Sequence, residues 1–189
     1  MEYNIFRAPI DNDRIIKEQW YAAGYDKSVI RVYDTFVKKE DEGISIRSSA
    51  VISAPHVQKI IEFQVSWKVS LSGKINMKLE ATRNVEMPYL PRFGLRLFLD
   101  ERMDQVEYFG YGPYENYSDK HQSSYLGLFR TDAETMHENY IRPQENGSRC
   151  GCRYVRLFGS GVHWSIISKK RFFYQCLKIY TRRVVCKKT

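Results

Sequence analysis

Between Phe63 and Thr82 the chain alternates apolar and polar residues almost without a break. Phe63, Val65, Trp67, Val69 and Leu71 fall on one phase, and after Ser72-Gly73 so do Ile75, Met77, Leu79 and Ala81. A period of two belongs to an extended strand, because successive side chains there point to opposite faces. Two such runs joined by a short Ser-Gly turn predict an antiparallel β-hairpin with one buried face. A helical bundle is excluded over this stretch.

The same reading extends along the chain. Ser28–Lys38 is rich in β-branched and aromatic residues. Gly43–Ser53 places Ile44, Ile46, Ser48, Ala50 and Ile52 on one face. Phe93, Leu95, Leu97 and Leu99 alternate again, and Gln105–Phe109, Tyr125–Arg130 and Arg149–Phe158 read as further strands. One helix is predicted near the start: Asp13 as its cap, Ile15, Ile16, Gln19, Trp20 and Ala23 on one face, and Gly24 at the C′ position. Strands joined by turns rather than helices predict an all-β, antiparallel architecture with one short N-terminal helix. Trp20 and Trp67 are expected in the core. A chain of 189 residues fits a single domain of this kind.

Composition narrows the class of partner. No apolar run approaches the ~18 residues of a membrane span, and MEYNIFRAPIDND lacks the apolar core of a secretory leader. The expectation is a cytoplasmic protein with reduced thiols and no membrane partner. The formal net charge of +8 invites a nucleic-acid reading, but its distribution opposes one. Residues 1–145 net −3, whereas residues 146–189 carry 11 basic and no acidic residues. The basic excess therefore reads as a tail, and no nucleic-acid partner is expected. All four cysteines (Cys150, Cys152, Cys176 and Cys186) lie in that last part. Cys150-Gly-Cys152 is too close for the usual zinc half-site and lacks a second one, so two small apolar side chains turned to the core are expected.

Candidate chemistry sits in two polar, proline-bearing loops, Gly110–Asp119 (GYGPYENYSD) and Arg142–Gly147 (RPQENG). A glycoside hydrolase needs two carboxyl groups flanking one bond, and Asp11, Asp13, Glu115, Asp119 and Glu145 are the loop carboxylates available. Beside Gly and Pro, however, Glu and Asn more often satisfy backbone donors and hold turns. Glu115, Asn116, Glu145 and Asn146 are expected in that role, with Gly110, Gly112 and Gly147 permitting unusual backbone and Pro113 and Pro143 fixing φ. His56, His121, His137 and His163 form no metal-binding pattern. Tyr108, Tyr111, Tyr114 and Tyr117 form a candidate ligand-facing or interface surface.

Four segments taken together are more specific than any one of them: NIFRAPIDND (Asn4–Asp13), LPRFGLRLFL (Leu90–Leu99), VEYFGYGPYENYSD (Val106–Asp119) and YIRPQENGSRCGCRYVRL (Tyr140–Leu157). In order and spacing they resemble the C-terminal domain of the large β-galactosidases of glycoside hydrolase family two, also called the β-galactosidase small chain. The resemblance implies a β-supersandwich similar to the galactose mutarotase fold, over residues 1–164. It implies that the acid/base and nucleophile glutamates lie on a separate (β/α)-barrel, so that no catalytic residue maps onto this chain. The implied partners are that barrel domain or chain, the galactoside substrate in the full enzyme, and other subunits of an oligomer. The full enzyme of the family commonly uses Mg2+ and a monovalent cation, with no cofactor expected in this chain.

Glu86–Phe93 resembles a mobile loop bordering the family's active site, which makes Pro88, Tyr89, Leu90, Pro91, Arg92 and Phe93 candidates for the wall of the sugar site. Arg7, Asp11, Asn12, Asp13, Tyr114, Glu115, Asn116, Tyr117, Arg142, Glu145 and Asn146 are the structural or ligand-facing residues of the shared motifs. The motif resemblance fades after about Phe158, where the family domain normally continues for several dozen residues. Residues 165–189 carry eight basic and no acidic residues and are expected to depart from the family, as a truncated product or a natural basic tail. Three readings follow: a β-galactosidase domain inactive alone, the small subunit of a two-chain β-galactosidase, or a freestanding carbohydrate-binding or mutarotase-like module.

Overall fold

A computed structural model describes residues 1–142, 144–179 and 183–188, with side chains for 1–142, 144–168 and 174. Pro143 and the side chains of Cys176, Cys186 and the basic residues from Lys169 onward lie outside the described residues. The described residues form eleven strands: β1 Glu2–Asn4, β2 Val29–Glu40, β3 Gly43–Ser53, β4 Lys59–Ser70, β5 Ile75–Arg83, β6 Gly94–Asp100, β7 Gln105–Gly112, β8 Tyr125–Asp132, β9 Ser148–Gly159, β10 Val162–Ile179 and β11 Arg183–Lys188. One helix, α1, spans Ile16–Ala22. The all-β antiparallel class with one short helix, expected from the alternation, is the one the chain adopts.

The strands divide between two compact units. Residues 11–91 hold a meander of four antiparallel strands, β2-β3-β4-β5. Its registers set Ile46 opposite Trp67 and Trp67 opposite Met77, and likewise Ala50, Phe63 and Ala81 in one row. Directly opposed residues share a face, so the apolar phases read from the sequence do line up on one side of the sheet. Burial follows only along part of that side. Ala50, Ile52, Ile61, Phe63 and Val65 are buried, Trp67 and Val69 are half-buried, and Leu71 is 86% exposed. The expectation that Leu71 and Trp67 join a sealed core is corrected here: period two sets which face a side chain takes, while burial depends on what covers it.

Helix α1 also differs from expectation. Its N-cap is Ile15, without a side-chain capping bond, and Asp13 closes a preceding 3-10 turn, Asp11–Asp13. Trp20 and Ala23 are buried while Ile15 and Gln19 are exposed. Gly24, at φ +68°, ends the helix in the left-handed conformation expected of a C′ glycine.

Residues 1–10 and 92–189 form the second unit, a seven-stranded antiparallel sheet ordered β1-β6-β11-β10-β9-β7-β8. Val106, Tyr108, Cys152, Val155, Leu157 and Tyr174 form its core with Ala133 and Met136. Tyr108 stacks on Phe129 and meets Tyr174 edge-on, both at 5.3 Å between ring centres. Cys150 and Cys152 are buried and not disulfide-bonded, and burial pushes the Cys150 thiol pKa up. The charge boundary at 164/165 is not a break in the ladder. Strand β10 spans it, and β10 and β11 sit between β9 and β6.

Candidate functional site

Pairing of β7 with β9 runs from Gln105↔Phe158 to Phe109↔Tyr154. Antiparallel register therefore brings the end of β7 beside the start of β9, and the two motif loops emerge from the same edge of this strand pair. Gly110 and Gly112 lie inside β7 rather than in left-handed turns, contrary to the expectation of unusual backbone. They are needed for close approach: a Cβ on Gly110 would sit 2.4 Å from the Cys152 Sγ, and one on Gly112 2.3 Å from the Tyr108 hydroxyl. Gly147 does carry the positive φ, at +74°, and a Cβ there would meet the Met136 carbonyl oxygen at 2.5 Å.

Asn116 joins the loops. Its backbone N–H donates to the Ser148 carbonyl at 2.8 Å. Its side-chain amide donates to the carbonyls of Tyr111 and Tyr114, both at 2.9 Å, and its Oδ1 accepts the Cys150 N–H at 2.8 Å. Glu115 is buried. One carboxylate oxygen accepts from Lys120 Nζ at 2.8 Å and from the Tyr140 hydroxyl, and the other accepts the Gly147 N–H at 2.9 Å. Burial raises the Glu115 pKa, but Lys120, Tyr140 and the Gly147 N–H outweigh it and hold the carboxyl below the usual carboxylate range. Asn146 accepts the Glu138 N–H at 3.1 Å and donates to Gln144.

Glu145 forms an ion pair with Arg92, whose side chains are 7% and 8% exposed respectively. Burial pulls the Arg92 pKa down, the Glu145 carboxylate pushes it back up, and the nearby charges of Arg7 and Arg96 add to the depression. Tyr117 is half-buried, its hydroxyl pKa pushed up first by burial and then by Glu115. Tyr114 is 63% exposed and Tyr108 fully buried, so the tyrosine cluster expected as one surface is split between core and solvent. Arg142 is exposed, Arg7 half-buried, Asp11 and Asn12 exposed and Asp13 buried.

In the four-stranded unit, the stretch after β5 is held by side chains. Trp20 Nε1 donates to the Tyr89 carbonyl at 2.8 Å and the Tyr25 hydroxyl to the Pro88 carbonyl at 2.7 Å. Arg83 donates to the Met87 carbonyl at 2.6 Å and lies 5.2 Å from the centre of the Tyr89 ring. Leu90 and Pro91 are half-buried, and Arg92 and Phe93 belong to the other unit. The sequence reading missed Lys120, Tyr140, Arg83 and Tyr25. The one available signal was Lys120, five residues after Glu115 in a loop that a Tyr117↔Lys120 bridge folds back.

Among the described residues no three His, Cys, Asp or Glu side chains converge as a metal cage. No helix of the described residues is long and apolar enough to cross a membrane.

Two antiparallel sheets, one of them carrying paired loops closed by buried ions and amides, define an all-β domain with built polar loops. The family model described as "Beta galactosidase small chain" matches residues 1–183, and the chain belongs to that family. The match runs well past Phe158, where the motifs recognisable by eye stop. The chain is 40% identical over 156 residues to a β-galactosidase of Actinobacillus pleuropneumoniae, covering 82% of this chain and 16% of that protein. It is 36% identical over 154 residues to one of Staphylococcus xylosus, with the same coverage. It is 31% identical over 183 residues to one of Streptococcus thermophilus, covering 94% of this chain and 17% of that one. The chain thus spans about one-sixth of the length of these curated relatives.

Proposed function

We propose that this chain is the small-chain domain of an enzyme that hydrolyses terminal β-D-galactosides such as lactose, and that it supports the active site without supplying its glutamates. The observation that carries this reading is the state of the two buried loop carboxylates. Retaining and inverting glycosidases both need a carboxylic acid with a raised pKa to protonate the leaving group. Glu115 is held the other way by Lys120 and Tyr140, and Glu145 is committed to Arg92. Groups tied in this way hold backbone and ion pairs in place. In this reading the catalytic pair, any Mg2+ and monovalent cation, and the barrel reside in other parts of a larger assembly. The share of the relatives' length that lies outside the match supports that division.

The test is hydrolysis of a chromogenic β-galactoside by the pure chain and by the chain mixed with a barrel-bearing partner from a relative. The chain alone is expected to show no turnover above buffer, and the mixture to gain activity. Turnover by the pure chain that is lost in Glu115→Gln or Glu145→Gln would overturn the reading. The small-subunit alternative is favoured by the family's description as a small chain, and it predicts that the two pieces co-purify.

A further inference from the structure

We propose that the edge strand β2 pairs with β2 of a second copy of this chain, antiparallel about a two-fold axis at Phe36, with Asp34 of each copy opposite Lys38 of the other.

Strand β2 is an edge of its sheet, and all twelve of its residues are exposed. Six are large and apolar, among them Phe36 at 70% and Val37 at 66% exposure. An exposed edge of this length and composition is a template for another strand, because its outer N–H and C=O groups have no partner in the sheet. A register irregularity between Val32 and Asp34 interrupts pairing at one end. From Asp34↔Ser49 to Glu40↔Gly43 the ladder with β3 is regular, so the outer backbone groups recur every second residue along this run.

That spacing limits how two copies can meet. In an antiparallel pair, directly opposed residues are either both hydrogen-bonded across the pair or both not. Two copies of one strand can therefore pair only about a residue, never midway between two. Centring on Val37 sets Asp34 against Glu40, and centring on Lys38 sets Lys38 against itself. Both oppose like charges, which is unfavourable, and centring on Thr35 keeps only Asp34–Phe36 of the regular run in the pair. Centring on Phe36 sets Asp34 against Lys38 twice, Thr35 against Val37, and Phe36 against itself. Among these four, only the Phe36 register is complementary in charge, and it places an aromatic pair on the axis.

Sedimentation equilibrium on the full chain tests this. The chain is expected to associate to a dimer that dissociates on dilution. Asp34→Lys and Lys38→Asp, each alone, should weaken the dimer at least about tenfold, because each turns both cross-strand pairs into like charges. An equimolar mixture of the two variants should recover association as a heterodimer, since every opposed pair is again complementary. Far-UV circular dichroism and thermal melts matching the unsubstituted chain would show that these exposed substitutions leave the fold intact. A chain that stays monomeric at high concentration, a dimer indifferent to both single variants, or variants that fail to associate when mixed would each overturn the proposal.

Discussion

The two sheets bury themselves by different means. In the four-stranded unit an apolar phase runs along β4 and β5, yet on that face only Ala50, Ile52, Ile61, Phe63 and Val65 are buried. In the seven-stranded unit the apolar core around Tyr108, Cys152 and Leu157 is accompanied by Glu107, Glu115, Asn116, Glu145 and Arg149, all buried. The first unit rests on area removed from water, the second on area plus ions that must stay paired. Charges withdrawn from water tolerate the loss of a partner poorly, whereas an apolar row loses stability in proportion to how far it was covered. Substitutions should therefore produce steep effects in one unit and graded effects in the other.

The steepest effect is expected at Arg92–Glu145. Glu145→Gln leaves a buried guanidinium without its counter-charge and should cost ~3–5 kcal/mol in denaturant unfolding of the full chain. Replacing both partners by apolar residues, Arg92→Met with Glu145→Leu, should recover most of that loss. If the single variant unfolds at the unsubstituted midpoint, the pair is not held out of water, and the contrast between the units fails.

Phe63→Ala comes next, at ~3–5 kcal/mol for a fully buried aromatic. Trp67→Ala, two residues along the same face, should cost about half as much, roughly 2 kcal/mol, because its side chain is half-buried. Urea midpoints of the two variants measure the gradient directly. Equal losses would mean that the row at Trp67 is covered in solution.

What could be read beforehand divides along the same line. The period-two runs at Gly43–Ser53 and Phe63–Thr82 revealed strands and faces, because side-chain direction is a local property. Coverage is not local, so nothing in the run itself distinguished buried Phe63 from exposed Leu71. The loops were legible by residue type, through Gly147 and the Asn beside each Glu, but their partners were not. Tyr140 reaches Glu115 from 25 residues away, and Arg92 lies 53 residues from Glu145. The basic stretch was read from summed charge alone, which says nothing of strand pairing, and the backbone of β10 and β11 lies within the sheet.

Glu115 should give an intermediate effect with a pH signature. Glu115→Gln removes the counter-charge of Lys120 and should cost ~1–3 kcal/mol at neutral pH. The folded-state pKa of Glu115 lies below its ordinary value of 4.5. Its contribution is therefore fully present above about 4.5 and is lost as pH falls through the lower folded value. The gap between the unsubstituted chain and the variant should accordingly narrow on acidification. Thermal melts at pH 7 and near pH 3 measure that gap, and a gap that widens in acid would reverse the sign assigned here.

The smallest effect should fall at Leu71. It closes the apolar phase of β4, so alternation alone assigns it the same weight as Phe63. In the structure it lies in the turn, 86% exposed, with its N–H donated to the Glu42 carbonyl at 3.0 Å. That bond belongs to the backbone and survives any side chain except proline. A side chain already in water has almost no burial to lose. Leu71→Ser should then change stability by no more than about 0.5 kcal/mol in the same urea titration. A loss approaching that of Phe63→Ala would show that a covering surface reaches the turn, and the graded burial assigned to this sheet would no longer hold.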